Sequence, residues 1–268
     1  MAESESDLQN SLKVFENYCS LWKLKVNVEK TKILIFTKRK RDYDHEFNLY
    51  GTNIEIVGSY SYLGILFNYN GNFTIARKKL SEQAQKALYR KLRNISIPID
   101  LQLKLFDSLI EPILLYSCEI WRFENLAILE KIHLQFRKKM LSVRSSTPSF
   151  MVYGETGRYP LEIKIKLRVL NIWVKLLQYE DKLCSNMYQL LYFMHRSRAI
   201  NSKWITYVKS LLDDTVLSYV WNNQCILHTN DIKFTLRQIL SDQLIQKWHS
   251  YIEQSSRGKF YSIFKTEF

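Results

Sequence analysis

Apolar residues near the start of the chain recur at helical intervals. Leu8, Leu12, Phe15, Cys19 and Trp22 follow at steps of four, three, four and three, drawing one stripe along a helix over residues 6–22. Ser6 or Asp7 can cap its first turn. The period then shortens. Leu24, Val26 and Val28 alternate with polar residues, and Ile33-Leu34-Ile35-Phe36 is an unbroken apolar run of the kind a buried strand carries. Lys38-Arg39-Lys40-Arg41 reads as a solvated loop. Residues 46–57 predict a hairpin around Gly51-Thr52, flanked by Phe47, Leu49, Ile54 and Ile56. Residues 60–67 predict a further strand, closed by the turn signal Asn68-Tyr69-Asn70-Gly71.

From Phe73 onward the pattern is helical. Residues 73–92 carry Leu80, Ala84, Ala87 and Leu88 on one side. Pro98 marks a loop over 95–100, Asp100 caps a helix through Leu101, Leu105 and Leu109, and Pro112 kinks it. A helix over about 124–142 aligns Leu126, Leu129, Ile132, Phe136 and Met140. Ser145 to Pro160, with Pro148, Gly154 and Gly157, reads as a linker. Further helices are expected over 161–179, 183–196, 201–212 and 231–254, with no internal repeat. The expected fold class is mainly α with a small antiparallel β part (α+β).

Composition narrows the function. With 268 residues, 46% of them hydrophobic, the chain can bury a core and is not of disordered type. The net charge of +13 points to a polyanionic partner, nucleic acid first and an anionic membrane face second. The greasiest run, Leu109 to Tyr116, is broken by Glu111 and Pro112 and is too short to span a bilayer. No secretory segment is visible, so an intracellular location, nuclear or cytoplasmic, is expected, with no membrane partner. Cys19, Cys118, Cys184 and Cys225 are scattered, and Cys225 with His228 forms only a lone CxxH, so no zinc site and reduced, buried thiols are expected. There is no Walker-type or GxGxxG loop, no HExxH and no GxSxG. His45, His133, His195, His228 and His249 are dispersed and read as surface or packing residues.

Two segments stand in a telling order: Trp22-Lys23-Leu24-Lys25-Val26-Asn27-Val28-Glu29-Lys30-Thr31-Lys32 and, about thirty residues later, Tyr60-Ser61-Tyr62-Leu63-Gly64-Ile65. The series resembles the stretch downstream of the catalytic YADD box in reverse transcriptases of LINE-like (non-LTR) retrotransposons, over roughly residues 1–180. The resemblance implies a palm remnant over 1–70, a helical thumb over 71–145 and a helical C-terminal extension over 146–268. The Trp22 to Lys32 segment resembles motif D. Lys30 best matches its lysine, which approaches the departing phosphate, and Lys32 is the next best match. The Tyr60 to Ile65 segment resembles motif E, the primer grip, with Tyr62, Leu63 and Gly64 beneath the primer end.

The thumb's first helix would begin at residues 73–93. Lys79, Lys86, Arg90 and Arg93 are spaced by seven, four and three, so they share the face opposite Leu80 and Ala84. Such a stripe can lie along the phosphates of a template–primer duplex. Arg137-Lys138-Lys139 with Arg144, and Lys164 with Lys166 and Arg168, are further basic clusters.

The same resemblance places the metal-binding aspartates before Met1. No catalytic residue, no metal ligand and no cofactor is therefore expected in this chain, although intact members of the family use Mg2+. Leu211-Leu212-Asp213-Asp214-Thr215-Val216-Leu217 echoes a catalytic box, but it follows Trp204 and Val208 at helical spacing, so exposed acids at a helix end are expected. The expected function is that of a reverse-transcriptase-derived chain, not an enzyme by itself, with weak, sequence-tolerant binding to RNA, DNA or RNA–DNA hybrid. The alternatives are an inert remnant or a helical protein-interaction module whose protein partners are unknown.

Overall fold

Ser4 sits in extended conformation and accepts the amide of Asp7, which starts helix α1 (Glu5–Leu21) ahead of the caps expected at Ser6 or Asp7. The computed structural model describes residues 2, 4–37, 46–92, 97–121, 126–178, 183–225 and 229–268. The sequence readings for Lys38 to Arg41, His45, Arg93 and His228 lie outside the described residues. The chain forms two units, Met1–Ala76 and Arg77–Phe268.

In the first unit, Leu8 and Leu12 of α1 pack on a cluster of Ile33, Phe47, Leu49 and Ile54. Strands β1 (Ile33–Leu34), β2 (Phe47–Leu49), β3 (Thr52–Ile54), β4 (Ile56–Val57), β5 (Ser59–Tyr62) and β6 (Ile65–Asn68) are all short. β2 and β3 pair antiparallel with Leu49 opposite Thr52. That leaves Tyr50 and Gly51, at φ +50° and +71°, as a two-residue turn of the type whose twist suits a hairpin. The turn sits one residue earlier than expected. β1 and β4 form a two-residue parallel pair, and β5 and β6 are antiparallel. The 60–67 segment, expected as one strand, is thus a hairpin.

The Asn48 amide and carbonyl point away from β3, and α1 takes them up. The Gln9 carboxamide donates to Asn48 O and accepts from Asn48 N, both at 3.0 Å. The Glu16 carboxylate accepts the Tyr50 amide. These side chains cover the strand edge that β3 does not pair.

Helix α2 spans Thr74–Leu92, from the last residues of the first unit into the second. Helix α3 (Ile99–Leu109) starts after Pro98 with no side-chain cap, so Asp100 lies in its first turn instead of capping it. The chain breaks at Ile110, and α4 (Glu111–Leu114) carries Pro112 in its first turn. There follow α5 (Cys118–Trp121), α6 (Ala127–Met140), α7 (Ser149–Thr156), α8 (Leu161–Gln178), α9 (Leu183–Arg196), α10 (Lys203–Asp214), α11 (Ser218–Asn223), α12 (Thr229–Gln254) and α13 (Ser256–Tyr261). The protein is mainly helical with small sheets, an α+β fold. α8 is the hub. It buries Leu161, Ile165, Val169 and Trp173 on one side and Ile163, Leu170 and Val174 on another, against α5, α6, α9, α10 and α12. The stretch 145–160 is not an exposed tether. It contains α7, where Gly154 lies so near the Trp248 indole that a Cβ would sit 3.0 Å from it, while that indole donates to Phe150 O at 2.9 Å.

A buried polar network locks α6, α7 and α8 together. The Glu130 carboxylate accepts from the Tyr153 hydroxyl, from the Leu161 amide at 3.0 Å and from His133 Nδ1 at 2.8 Å. Arg137 Nε donates to His133 Nε2 at 2.9 Å, which makes the ring a neutral Nδ1–H tautomer. His133 and Arg137 are 0% and 1% exposed, so Arg137 belongs to the core and not to the basic surface expected of it. Burial holds His133 below its usual value of 6.5, with Arg137 pushing the same way. The folded ring therefore binds its proton less readily than the unfolded one. Its contribution is present above pH 6.5 and is lost as pH falls below that value. Unfolding stability is expected to drop below pH 6.5 with a slope approaching about 1.4 kcal/mol per pH unit. Denaturant titrations on His133→Gln should show this segment of the pH profile flattened.

Candidate nucleic-acid interface

The tip of the β5–β6 hairpin is built from Tyr62-Leu63-Gly64. Tyr62 pairs with Ile65, so Leu63 and Gly64 alone make the turn, at φ +47° and +82°. Glycine accepts that conformation freely; leucine does so at a cost of about 1–2 kcal/mol. Tyr62 and Leu63 are 60% and 74% exposed. Behind them the Tyr62, Phe67 and Phe73 rings step inward with centroids 6.5 and 5.7 Å apart. The hairpin offers a stiff tip carrying one phenol and one apolar side chain, which can press on a sugar but supplies no charge.

Lys30 ends a 3-10 turn, Val28–Lys30, whose cap is the Asn27 carboxamide accepting the Lys30 amide at 3.0 Å. The Lys30 carbonyl accepts from the Tyr60 hydroxyl at 3.4 Å, which ties the turn to β5. The two motif D candidates differ. Lys32 Nζ is held by Glu55 at 2.7 Å, whereas Lys30 is exposed with no carboxylate partner among the described residues.

On α2, Lys79, Lys86 and Arg90 are exposed on one face, while Leu80 and Ala84 are buried on the other. At 1.5 Å per residue the row is roughly 16 Å long. Lys86 and Arg90 border a shallow hollow shared with Glu82, Gln85 and Tyr89. Glu82 is the one carboxylate on this side of α2, between Lys79 and Lys86. None of the three cations has an ionic partner among the described residues.

Several members of the other clusters are committed elsewhere. Lys138 Nζ donates to Ser145 O at 2.6 Å. Lys164 pairs with Glu111 at 2.5 Å, Lys166 with Glu162 at 3.1 Å and Arg168 with Glu119 at 3.7 Å. Asp213 and Asp214 are exposed at the C-terminal end of α10, where Ser218 donates to Asp213 at 2.8 Å. Among the described residues no group of three His, Cys, Asp or Glu side chains could hold a metal ion. The four cysteines are unpaired; Cys19 and Cys118 are buried, with burial pushing the Cys118 thiol up to about 12, but Cys184 and Cys225 are exposed, against expectation. One basic concavity carried no sequence motif, because its cations come from α9, the α9–α10 turn and α10; the Arg196-Ser197-Arg198 pair was its sole local signal.

No protein-family model, curated protein or solved structure matches the chain. Among the described residues no helix is long and apolar enough to cross a membrane. Leu63→Asn would place the preferred Asn-Gly pair in the turn and lose little packing. It is expected to raise stability by about 0.5–1 kcal/mol, read by thermal or denaturant unfolding.

Proposed function

We propose that this chain binds nucleic acid without sequence preference, and that it derives from the part of a LINE-like reverse transcriptase that follows the catalytic box. The row of Lys79, Lys86 and Arg90 carries the reading, because these cations are exposed and have no ionic partner among the described residues, while Lys32, Lys164, Lys166 and Arg168 are held by carboxylates. A free cation can replace the counterions of a phosphate without breaking an internal pair. Phosphates are alike along any sequence, so such contacts position a duplex without reading its bases. The reading is supported further by the order of the Lys30 turn, the Tyr62-Leu63-Gly64 tip and α2 along the chain, which is the order of motif D, primer grip and thumb. No nucleotidyl transfer is assigned to this chain, since that reaction needs carboxylates gripping two metal ions. A nuclear or cytoplasmic location follows from the partner class.

The apolar row Leu183, Met187, Leu190 and Phe193, exposed on α9, favours a different reading, a helical protein-interaction module. That reading predicts no nucleic-acid affinity even at low salt.

Binding to an RNA–DNA hybrid, measured across salt concentrations, should give a log–log slope near −2.7, about −0.9 for each of Lys79, Lys86 and Arg90. A flat response, or no binding at low salt, overturns the proposal. Lys86→Glu with Arg90→Glu should weaken binding alike on unrelated sequences; unchanged affinity moves the interface to another surface. Glu82→Gln should tighten duplex binding by roughly 0.5 kcal/mol at low salt, since it removes a charge that repels phosphate.

A further inference from the structure

The helical unit contains a cleft of about 780 Å³ at the C-terminal end of α9, facing α10 and α11. Tyr192, His195, Arg196, Arg198, Lys209 and Trp221 line it, and among the described residues no acidic one does. Arg196, Arg198 and Lys209 are exposed, and none has an ionic partner among the described residues. Three free cations around one concavity make an anion site, and a cation would be repelled from it.

The cleft is also aromatic. Tyr192 is half-buried and packs edge to face on Trp221, with ring centroids 5.4 Å apart and planes at 77°. Trp221 is in turn stacked on the fully buried Trp173 at 6.1 Å. The Tyr192 ring is therefore a fixed wall. The side chains of Asn201 and Asn222 add amide donors and acceptors at the rim. His195 is fixed as well: its Nδ1 accepts the Ser202 amide at 3.2 Å, so a neutral ring carries its proton on Nε2.

Arg198 holds an unusual position. It lies at φ +62°, in the left-handed region, where its amide returns to His195 O at 3.1 Å and closes the end of α9. Glycine or asparagine fits that conformation at lower cost. The turn nevertheless places a guanidinium at the mouth of the cleft.

We propose that this cleft takes one nucleotide of a single-stranded nucleic acid, its phosphate between Arg196, Arg198 and Lys209 and its base against Tyr192. A duplex keeps its bases stacked and has no use for an aromatic wall, whereas an unpaired base gains from one. The volume falls in the range of small-ligand pockets, large enough for a nucleotide. An acidic peptide would satisfy the cations but leave the aromatic wall and the amide rim unused. The site goes beyond the α2 reading, since it uses other residues and selects another form of the polymer.

The test uses the full chain and a fluorophore-labelled single-stranded tetranucleotide, with affinity read by anisotropy. Arg198→Gly removes the guanidinium and suits the left-handed backbone, so its melting temperature should not fall, while tetranucleotide affinity should drop about tenfold. Tyr192→Leu should lower affinity at least fivefold, and a mononucleotide should displace the probe far better than inorganic phosphate. Lys86→Glu with Arg90→Glu should weaken duplex binding and leave the tetranucleotide bound, so the two readings fail separately. Wild-type affinity in both cleft variants overturns the proposal, as does loss of tetranucleotide binding in the α2 variant alone. Equal competition by inorganic phosphate overturns it by reducing the cleft to a bare anion site. Displacement by polyglutamate as effective as by nucleotide overturns it in favour of an acidic peptide.

Discussion

Glu130 receives three donors on one carboxylate: His133 from its own helix, the Tyr153 hydroxyl from α7 and the Leu161 amide that opens α8. Each is largely or wholly buried, and a buried donor left without an acceptor costs about 1–3 kcal/mol. The carboxylate thus fixes where α8 begins and how α7 approaches α6. The consequences run outward from α8, because that helix meets α5, α6, α9, α10 and α12 through its apolar faces. Burial and Glu130 beside it push the Tyr153 phenol well above its ordinary range, so it remains a donor across the physiological range.

The same demand for partners sorts the basic residues. A formal charge of +13 suggests a cationic surface everywhere, yet the cations near the core are bound inward. Arg137 donates to His133, Arg158 pairs with Asp107 at 3.2 Å, and Lys164 meets Glu111. Among the exposed cations with no ionic partner among the described residues are those on the outer face of α2 and in the cleft at the end of α9. The distinction between a spent and an available cation, rather than the total charge, bears on where a polyanion would settle.

In the first unit the controlling constraint is turn geometry. Two hairpins close through Tyr50-Gly51 and Leu63-Gly64, each with positive φ at both positions. With turns that tight, three- and four-residue strands hold register, and α1 covers the exposed edge of β2 through Gln9 and Glu16. The apolar stripe of α1 is only partly used. Leu8 and Leu12 reach the core and Cys19 is buried, while Phe15 and Trp22 stay exposed.

Much of the secondary structure could be read from periodicity, because steps of three and four mark a helix whatever surrounds it. The stripes of α1, α2, α6 and α8, the break near Pro112 and the helical setting of Asp213-Asp214 were legible in this way. So was the shared face of Lys79, Lys86 and Arg90, a property of one helix alone. Boundaries that rest on a single φ angle were not, which is why 60–67 read as a strand and the first turn fell one residue late. Fates decided by distant partners were hidden altogether. Arg137 and Lys138 are neighbours of one charge, yet one lies in the core and the other at the surface, because only one faces His133. Arg196, Arg198 and Lys209 meet around Tyr192 and Trp221 only when α9, α10 and α11 pack. Local spacing specifies which side of a helix a residue occupies; what that side meets is set by chain folded back from far away.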